Sequence, residues 1–375
     1  MTVKRREFSV LLGAAAAPLV QRANAQQNVQ QKNAAPANPV PRLDWVARRK
    51  EPILEPGLKI IDPHHHLWQR PDWRYLLDDL LADTGSGHNI VATVYMEANS
   101  MYRDRGPEEM RPVGEVEFAN GMAAMCSSGA FGKTRVAAGI VGHANMTLGS
   151  RVEPVINALT RAGGDRFRGI RHGVSWEAEA ATIRPNPSTH PGMLADKKFR
   201  EGIAVLGRLG LSYDVSLYHT QIPEVADLAG ALPNTRIVLN HVGGVLGLGS
   251  YRSKQKEVFS LWASSIKALA ARHNVYVKLG GLGQSYTAMR FDGDAEPPSS
   301  EQVAARFRPY VETCIGAFGA SRCMFESNFP VDKISYSYHV FWNACKLMAK
   351  GASATEKADL FAGSAARCYR LEEIV

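Results

Sequence analysis

Ile60-Ile61-Asp62-Pro63-His64-His65-His66-Leu67-Trp68 is an apolar run that ends in three histidines. In an extended strand, alternate side chains share a face. His64 and His66 are therefore expected to project together, with Asp62 behind them on the same face and His65 turned the other way. Two imidazoles on one face can bind a single divalent metal or clamp one anionic group. Taken alone, His-x-His is a weak signal, and a solvated strand end is its plain reading. Position strengthens it: the motif closes a short apolar strand, at the end where parallel barrels place their chemistry.

Working outward, runs of the same kind recur at 89–97, 135–142, 167–172, 212–217, 236–241, 275–280 and 323–328, after the first at 59–63. They are short and apolar, which suits parallel strands buried on both faces. Between them apolar residues recur at helical spacing, as in Val152, Val155, Ile156 and Leu159, or Val258, Leu261, Trp262, Ile266 and Leu269. Segments 199–209, 222–232 and 303–318 fit the same pattern. Eight strands alternating with helices predict an α/β fold: a single-domain (β/α)8 TIM barrel over 58–375, with 338–371 as a helical closing tail. Two long inserts, 98–113 and 175–196, follow the second and fourth strands on the site-bearing side. They read equally well as substrate walls or as surface elaboration.

Residues 1–25 have the pattern of a targeting segment. Lys4-Arg5-Arg6 is followed by a small apolar stretch and by Ala23-Asn24-Ala25, an A-x-A cleavage site. The twin arginines resemble a twin-arginine export signal, which implies export machinery as a partner and a periplasmic or secreted product. The apolar run is too short to span a bilayer, and no integral membrane segment is expected after cleavage. Residues 26–57 read as a flexible leader and a covering segment in which Trp45 and Leu54 can pack. The net charge is +8. The signal carries four basic residues and one acidic, so the remainder is about +5. No basic block is interleaved with aromatics, which excludes nucleic acid as the expected partner; a mildly positive site suits a small anionic substrate. Five cysteines without a C-x-x-C motif point to buried thiols rather than a disulfide scaffold, with Cys314/Cys323 and Cys345/Cys368 as the pairs to check.

Asp62-Pro63-His64-His65-His66-Leu67-Trp68 resembles the opening strand of the amidohydrolase-related TIM-barrel hydrolases, in particular the branch containing sugar-lactone and pyrone-dicarboxylate lactonases. The resemblance continues in Phe167-Arg168-Gly169-Ile170-Arg171-His172, Val238-Leu239-Asn240-His241-Val242-Gly243, Val277-Lys278-Leu279-Gly280-Gly281 and Met324-Phe325-Glu326-Ser327-Asn328-Phe329-Pro330. It implies a hydrolase that uses activated water on a small cyclic ester or related carboxyl derivative. More distant relatives imply two alternatives: a non-oxidative decarboxylase, or a ligand-binding barrel with little activity.

The resemblance also places His241 in the site. His64, His66 and His241 then form a three-imidazole set suited to one divalent ion, zinc or manganese. The same rings could instead act without metal, hydrogen-bonding a carbonyl oxygen. Arg171 offers a planar fork for a carboxylate. His172 points to the opposite face of a regular strand, and His219 and Lys278 are further candidates for substrate contact. A buried Lys278 needs a partner, for which Glu97 or Glu326 would serve. Where the family carries a strand-eight aspartate as metal ligand and base, this chain has Asn328, and Glu326 replaces a glycine two residues earlier. An amide takes no proton from water near neutral pH. Glu326 is therefore expected to supply the missing carboxylate, directly or through a water, with Asn328 positioning. There is no G-x-S-x-G motif for a serine nucleophile.

Overall fold

The computed structural model describes residues 39–183 and 186–375, so the expected signal and most of the leader lie outside the described residues. Strands β1 (Lys59–His65), β2 (Asn89–Met96), β3 (Arg135–Gly142), β4 (Phe167–Arg171), β5 (Ser212–Val215), β6 (Arg236–Leu239), β7 (Val275–Leu279) and β8 (Cys323–Phe325) form one sheet in chain order. All neighbours are parallel. The ring closes where His66 N donates to Phe329 O at 2.8 Å and Asn328 N to His64 O at 3.0 Å. Helices α1 (Leu77–Thr84), α2 (Val113–Ser127), α3 (Glu153–Gly163), α4 (Lys197–Arg208), α5 (Ile222–Ala231), α6 (Gln255–Ala270), α7 (Ser300–Phe318) and α8 (Tyr338–Met348) alternate with the strands. The protein is a (β/α)8 barrel.

Strand alternation sorts the apolar side chains into two layers. Ile60, Ile90, Ile140, Ile170, Leu239, Val277 and Phe325 pack outward against the helices. Ile61, Ala92, Val94, Met96, Val238 and Met324 fill the interior with Tyr369 and Leu371 of the tail. Each fully buried Val, Leu, Ile, Phe or Met among them contributes about 1.5–3 kcal/mol. Helix α6 shows how the outer layer forms: Val258, Trp262, Ile266 and Leu269 are buried at helical spacing. Leu261, expected in that stripe, is 54% exposed because it sits one position off the buried row. Trp262 Nε1 donates to Val242 O at 2.7 Å, tying α6 to the turn that follows β6.

Three boundaries differ from expectation. β8 ends at Phe325 and the chain then leaves the ladder to run beside β1, so Ser327 and Asn328 are held by β1 rather than by β7. In β1 the register slips between Asp62 and His65. A slip of this kind changes the phase of alternation. Ile61 therefore faces the interior, while Asp62 turns to the helical layer, where Tyr338 OH donates to it at 2.9 Å and Ser327 N at 3.0 Å. Asp62 is not behind His64 and His66. In the covering segment Trp45 is buried and donates to Ala295 O, but Leu54 is exposed; its backbone carbonyl accepts from Lys346 Nζ at 2.6 Å. The five cysteines are buried free thiols. No helix among the described residues is long and apolar enough to cross a membrane.

Candidate active site

The interior carries a column of polar side chains from its base to the ends of the strands. At the base, Tyr369 OH donates to Asp214 Oδ1 at 2.6 Å, and Ser212 Oγ donates to Asp214 Oδ2 at 3.0 Å. Lys278 Nζ stands 3.0 Å from Asp214 Oδ1 and 3.4 Å from both Asn240 Oδ1 and His64 Nδ1. The partner of Lys278 is thus Asp214, not Glu97 or Glu326. Lys278 is wholly buried beneath the site, which leaves it no reach to a substrate carboxylate.

Above Lys278, Glu326 lies between two imidazoles. Its Oε1 accepts from His241 Nδ1 at 2.7 Å and from His241 N at 3.0 Å. Its Oε2 is 2.6 Å from His64 Nδ1, an ion-pair distance, although the direction is off-line for a hydrogen bond. Space for this is made by Gly281, which has φ +67°; a Cβ there would sit 2.2 Å from His241 Nδ1. His241, Val242 and Asn328 also adopt φ near +50°, costly for residues with a Cβ, and such strain is concentrated at functional sites. Glu326 is fully enclosed. It does not meet substrate water directly, because the His241 ring it orients and the His64 ring beside it stand over it.

Hydrogen bonds at the rim fix which ring nitrogens carry protons. His66 Nδ1 lies 2.8 Å from Met96 O, so Nδ1–H donates and Nε2 keeps its lone pair. Asn328 Nδ2 donates to Asp332 Oδ1 at 2.7 Å, which turns Asn328 Oδ1 toward His66 Nε2 at 3.3 Å. His64 Nε2 accepts from Arg171 Nη1 at 3.2 Å. His64 Nε2 and His66 Nε2 are themselves 3.2 Å apart. Three acceptor atoms therefore meet, that of His64 already facing the Arg171 N–H. Two ligands of one tetrahedral ion with bonds of about 2.0–2.1 Å stand roughly 3.3 Å apart, so this spacing fits a divalent metal. A second donor grouping shares His64: donor atoms of His64, His241 and Glu326 lie within 4.8 Å of one another. Burial, then the nearby Lys278 charge, pushes the His64 ring well below its usual pKa; burial, then Arg171, does the same for His66. Both rings are thus kept neutral, as ligands must be.

Arg171 joins this cluster to a cavity of about 800 Å³. Its Nε donates to Glu97 Oε1 at 2.7 Å and its Nη2 to Glu97 O. Both inserts contribute to the cavity wall, the first through Tyr102 and Arg111 and the second through Asn186 and Ser188. His172 also lines it, accepting from Met146 N at 3.1 Å, but stands away from the metal-type cluster. His219 is not brought to the cluster either: it is buried, accepts from Leu246 N and packs edge-on to Tyr251. Sequence reasoning missed Asp214 and Asp332. Asp214 alternates with Ser212 on the same interior face, and Asp332 follows Asn328 by one helical turn, but neither spacing marks a site by itself.

Burial lowers His172 to about 3, and His88 and His219 to about 4. A histidine whose folded pKa lies below its unfolded value contributes stability above pH ~6.5 and loses it as pH falls toward the folded pKa. Asp62 and Asp332, each raised to about 6 by burial, and Glu115, raised to about 8 by burial and then by Glu97, act in the opposite sense. Each group changes stability by roughly 1.4 kcal/mol per pH unit. With His65 also lowered to about 3 by burial, the buried histidines outnumber these carboxyls, so the melting temperature is expected to fall between pH 6.5 and 4.5. Calorimetric melts across that range check this; a constant or rising value would refute it.

Residues 61–371 match the amidohydrolase family. The uncharacterised protein y4mH of Sinorhizobium fredii is 32% identical over 336 residues, covering 84% of this chain and 99% of that protein. An L-fucono-1,5-lactonase of Burkholderia multivorans is 25% identical, covering 84% and 98% respectively. Among solved structures, an amidohydrolase from Burkholderia multivorans with bound zinc superposes with a TM-score of 0.63 at 23% identity, over 83% of this chain and 99% of that one. The chain is a hydrolase that belongs to the amidohydrolase family.

Proposed function

We propose that the protein hydrolyses a small cyclic ester, opening a lactone to its hydroxy acid. The observation that carries this is the Glu326–His241 pair set beside the converging His64, His66 and Asn328 acceptors. With Nδ1–H on Glu326, His241 keeps a lone pair at Nε2. That atom takes a proton from water as the water oxygen bonds to the lactone carbonyl carbon. Charge gathering on the carbonyl oxygen is met by the Arg171 guanidinium. The bond from that carbon to the ring oxygen then breaks, and the His241 imidazolium returns the proton to the departing oxygen. Asn328 orients through Oδ1, since Asp332 holds its amide nitrogen. A divalent ion, zinc or manganese, held by His64, His66 and Asn328 with His241 alongside, would add Lewis acidity at the carbonyl and lower the pKa of water. The named lactonase relative and the zinc-bound structure support this reading.

Protein purified without added metal is expected to carry about one equivalent of zinc or manganese by elemental analysis, and to release acid without carbon dioxide from members of a lactone panel. Carbon dioxide release instead would indicate a decarboxylase; full activity after chelation would remove the metal. Export through the twin-arginine route is part of the same proposal. Replacing Arg5 and Arg6 by lysine should hold the protein in the cytoplasm, and undiminished periplasmic delivery would count against that route.

A further inference from the structure

The loop between β7 and α7, residues 280–299, contains no helix or strand, and it reaches the candidate active site twice. Gly281 passes so close to the His241 ring that a Cβ would sit 2.2 Å from Nδ1. Gly283 N donates to Asp332 Oδ2 at 3.0 Å, and Asp332 Oδ1 is the acceptor that turns the Asn328 amide. The inner half of the loop is tied to the turn after β8. Ser335 Oγ donates to Gly283 O at 2.7 Å and accepts from Phe291 N at 3.3 Å. Ordering so long an irregular segment costs conformational entropy at every residue, so its path depends on what holds it.

The outer half is held by the covering segment. Arg42 Nη2 donates to Asp292 O at 2.8 Å, Trp45 Nε1 to Ala295 O at 3.0 Å, and Arg49 Nη2 to Pro297 O at 3.1 Å. Ser300 N, at the start of α7, donates to Glu51 Oε1 at 2.9 Å, which sets a carboxylate against the positive end of that helix. Donors and acceptors thus run in step along the two chains. The segment is itself anchored on α8, where Leu54 N donates to Asn343 Oδ1 and Asn343 Nδ2 to Pro52 O, both at 2.9 Å. It lies before residue 61, where the match to the amidohydrolase family begins, so this brace stands outside the matched barrel.

We propose that the covering segment belongs to the catalytic apparatus: Trp45 and Arg49 are positioning residues that act through the 280–299 loop to hold His241 and Asn328 in place. This rests on the roles given above to His241 and Asn328. Released at its outer end, the loop opens more often. Gly281 then no longer confines the His241 ring, and Gly283 no longer holds Asp332 toward Asn328.

The test compares Trp45→Ala, Arg49→Ala, Arg49→Lys and Ile156→Ala in the full chain. Ile156 is fully buried on α3, across the ring from α7, so Ile156→Ala controls for lost stability alone. Hydrogen exchange is followed in peptides 280–285 and 290–298, and zinc affinity by competition with a chelator. Trp45→Ala should speed exchange in both peptides about tenfold. It should weaken zinc about tenfold, the usual cost of losing an outer partner of a metal ligand, and lower kcat with KM unchanged wherever a lactone is turned over. Arg49→Ala, which opens no core cavity, should do the same to a smaller degree, and it serves alone if Trp45→Ala does not fold. Arg49→Lys keeps a donor for Pro297 O and should regain most of that loss. Ile156→Ala should lower the melting temperature and change neither readout. If the strap variants speed exchange at 290–298 but leave 280–285 and zinc affinity as in wild type, the segment is a surface brace and the proposal falls. Equal effects from Ile156→Ala would also overturn it. If wild type binds no zinc or opens no lactone, the reading of the site fails on that count. Exchange at 280–285 still decides this inference: faster in the strap variants alone supports it, and unchanged protection overturns it.

Discussion

Glu326→Gln is expected to lower kcat/KM about 10³-fold or more while leaving the melting temperature within a few degrees of wild type. The carboxylate offers acceptors to His241 Nδ1 and N and lies against His64 Nδ1. An amide of the same shape offers one acceptor and one donor. One of the two rings therefore loses its acceptor and with it the tautomer that leaves Nε2 free. In the serine protease triad, an equivalent loss of tautomer costs roughly 10⁴ in kcat. Metal content of the variant separates the two donor groupings. If Glu326 only orients the rings, affinity should drop about 10–100-fold, and occupancy should be recoverable with excess metal. If Glu326 is itself a ligand, occupancy should not recover. Wild-type turnover by the variant would remove Glu326 from the mechanism.

Asn328→Asp is expected to weaken the protein rather than restore a stronger base. Asn328 Nδ2 gives its hydrogen to Asp332 Oδ1 at 2.7 Å, and Asp332 also accepts from Gly283 N and Tyr336 OH. A second carboxylate at that distance has no hydrogen to give unless it is protonated, and two adjacent buried carboxylates cannot both ionise. The pair would titrate with a raised pKa, above that of the unfolded chain. Its contribution is then intact at low pH and lost as pH rises through the raised value. The expected cost is about 3 kcal/mol at pH 8, shrinking toward pH 5, with turnover at pH 8 reduced. Thermal melts and rates at the two pH values are the measurement. A variant more active and no less stable at pH 8 would mean that Asn328 is a lost aspartate rather than a fitted amide.

The barrel was legible because its signals are local and repeated. Apolar runs at 89–97 and 236–241, for instance, needed only burial on both faces to be read as parallel strands. The clustering of His64, His66, His241 and Glu326 followed from their places at strand ends. What was not legible depended on contacts between distant segments. Lys278 needed a carboxylate, for which sequence offered Glu97 and Glu326; only the stacking of strands in the ring puts Asp214 at 3.0 Å. Asp62 was assigned to the wrong face because alternation presumes a regular strand, and the register slip in β1 breaks that premise. Glu326 was expected to supply a carboxylate directly or through a water; the rings of His64 and His241 closing over it are a tertiary effect with no local spacing to announce it.

Tyr369 reaches into the base of the barrel to donate to Asp214, which neutralises Lys278, which in turn stands beneath His64. The residue at the foot of this relay lies after all eight strands in the chain. During synthesis, every strand is therefore made before Asp214 gains the hydroxyl of Tyr369. The partly made barrel holds its central ion pair with one hydrogen bond still unmade, and the polar column beneath the histidines is complete only when the segment after the last strand arrives.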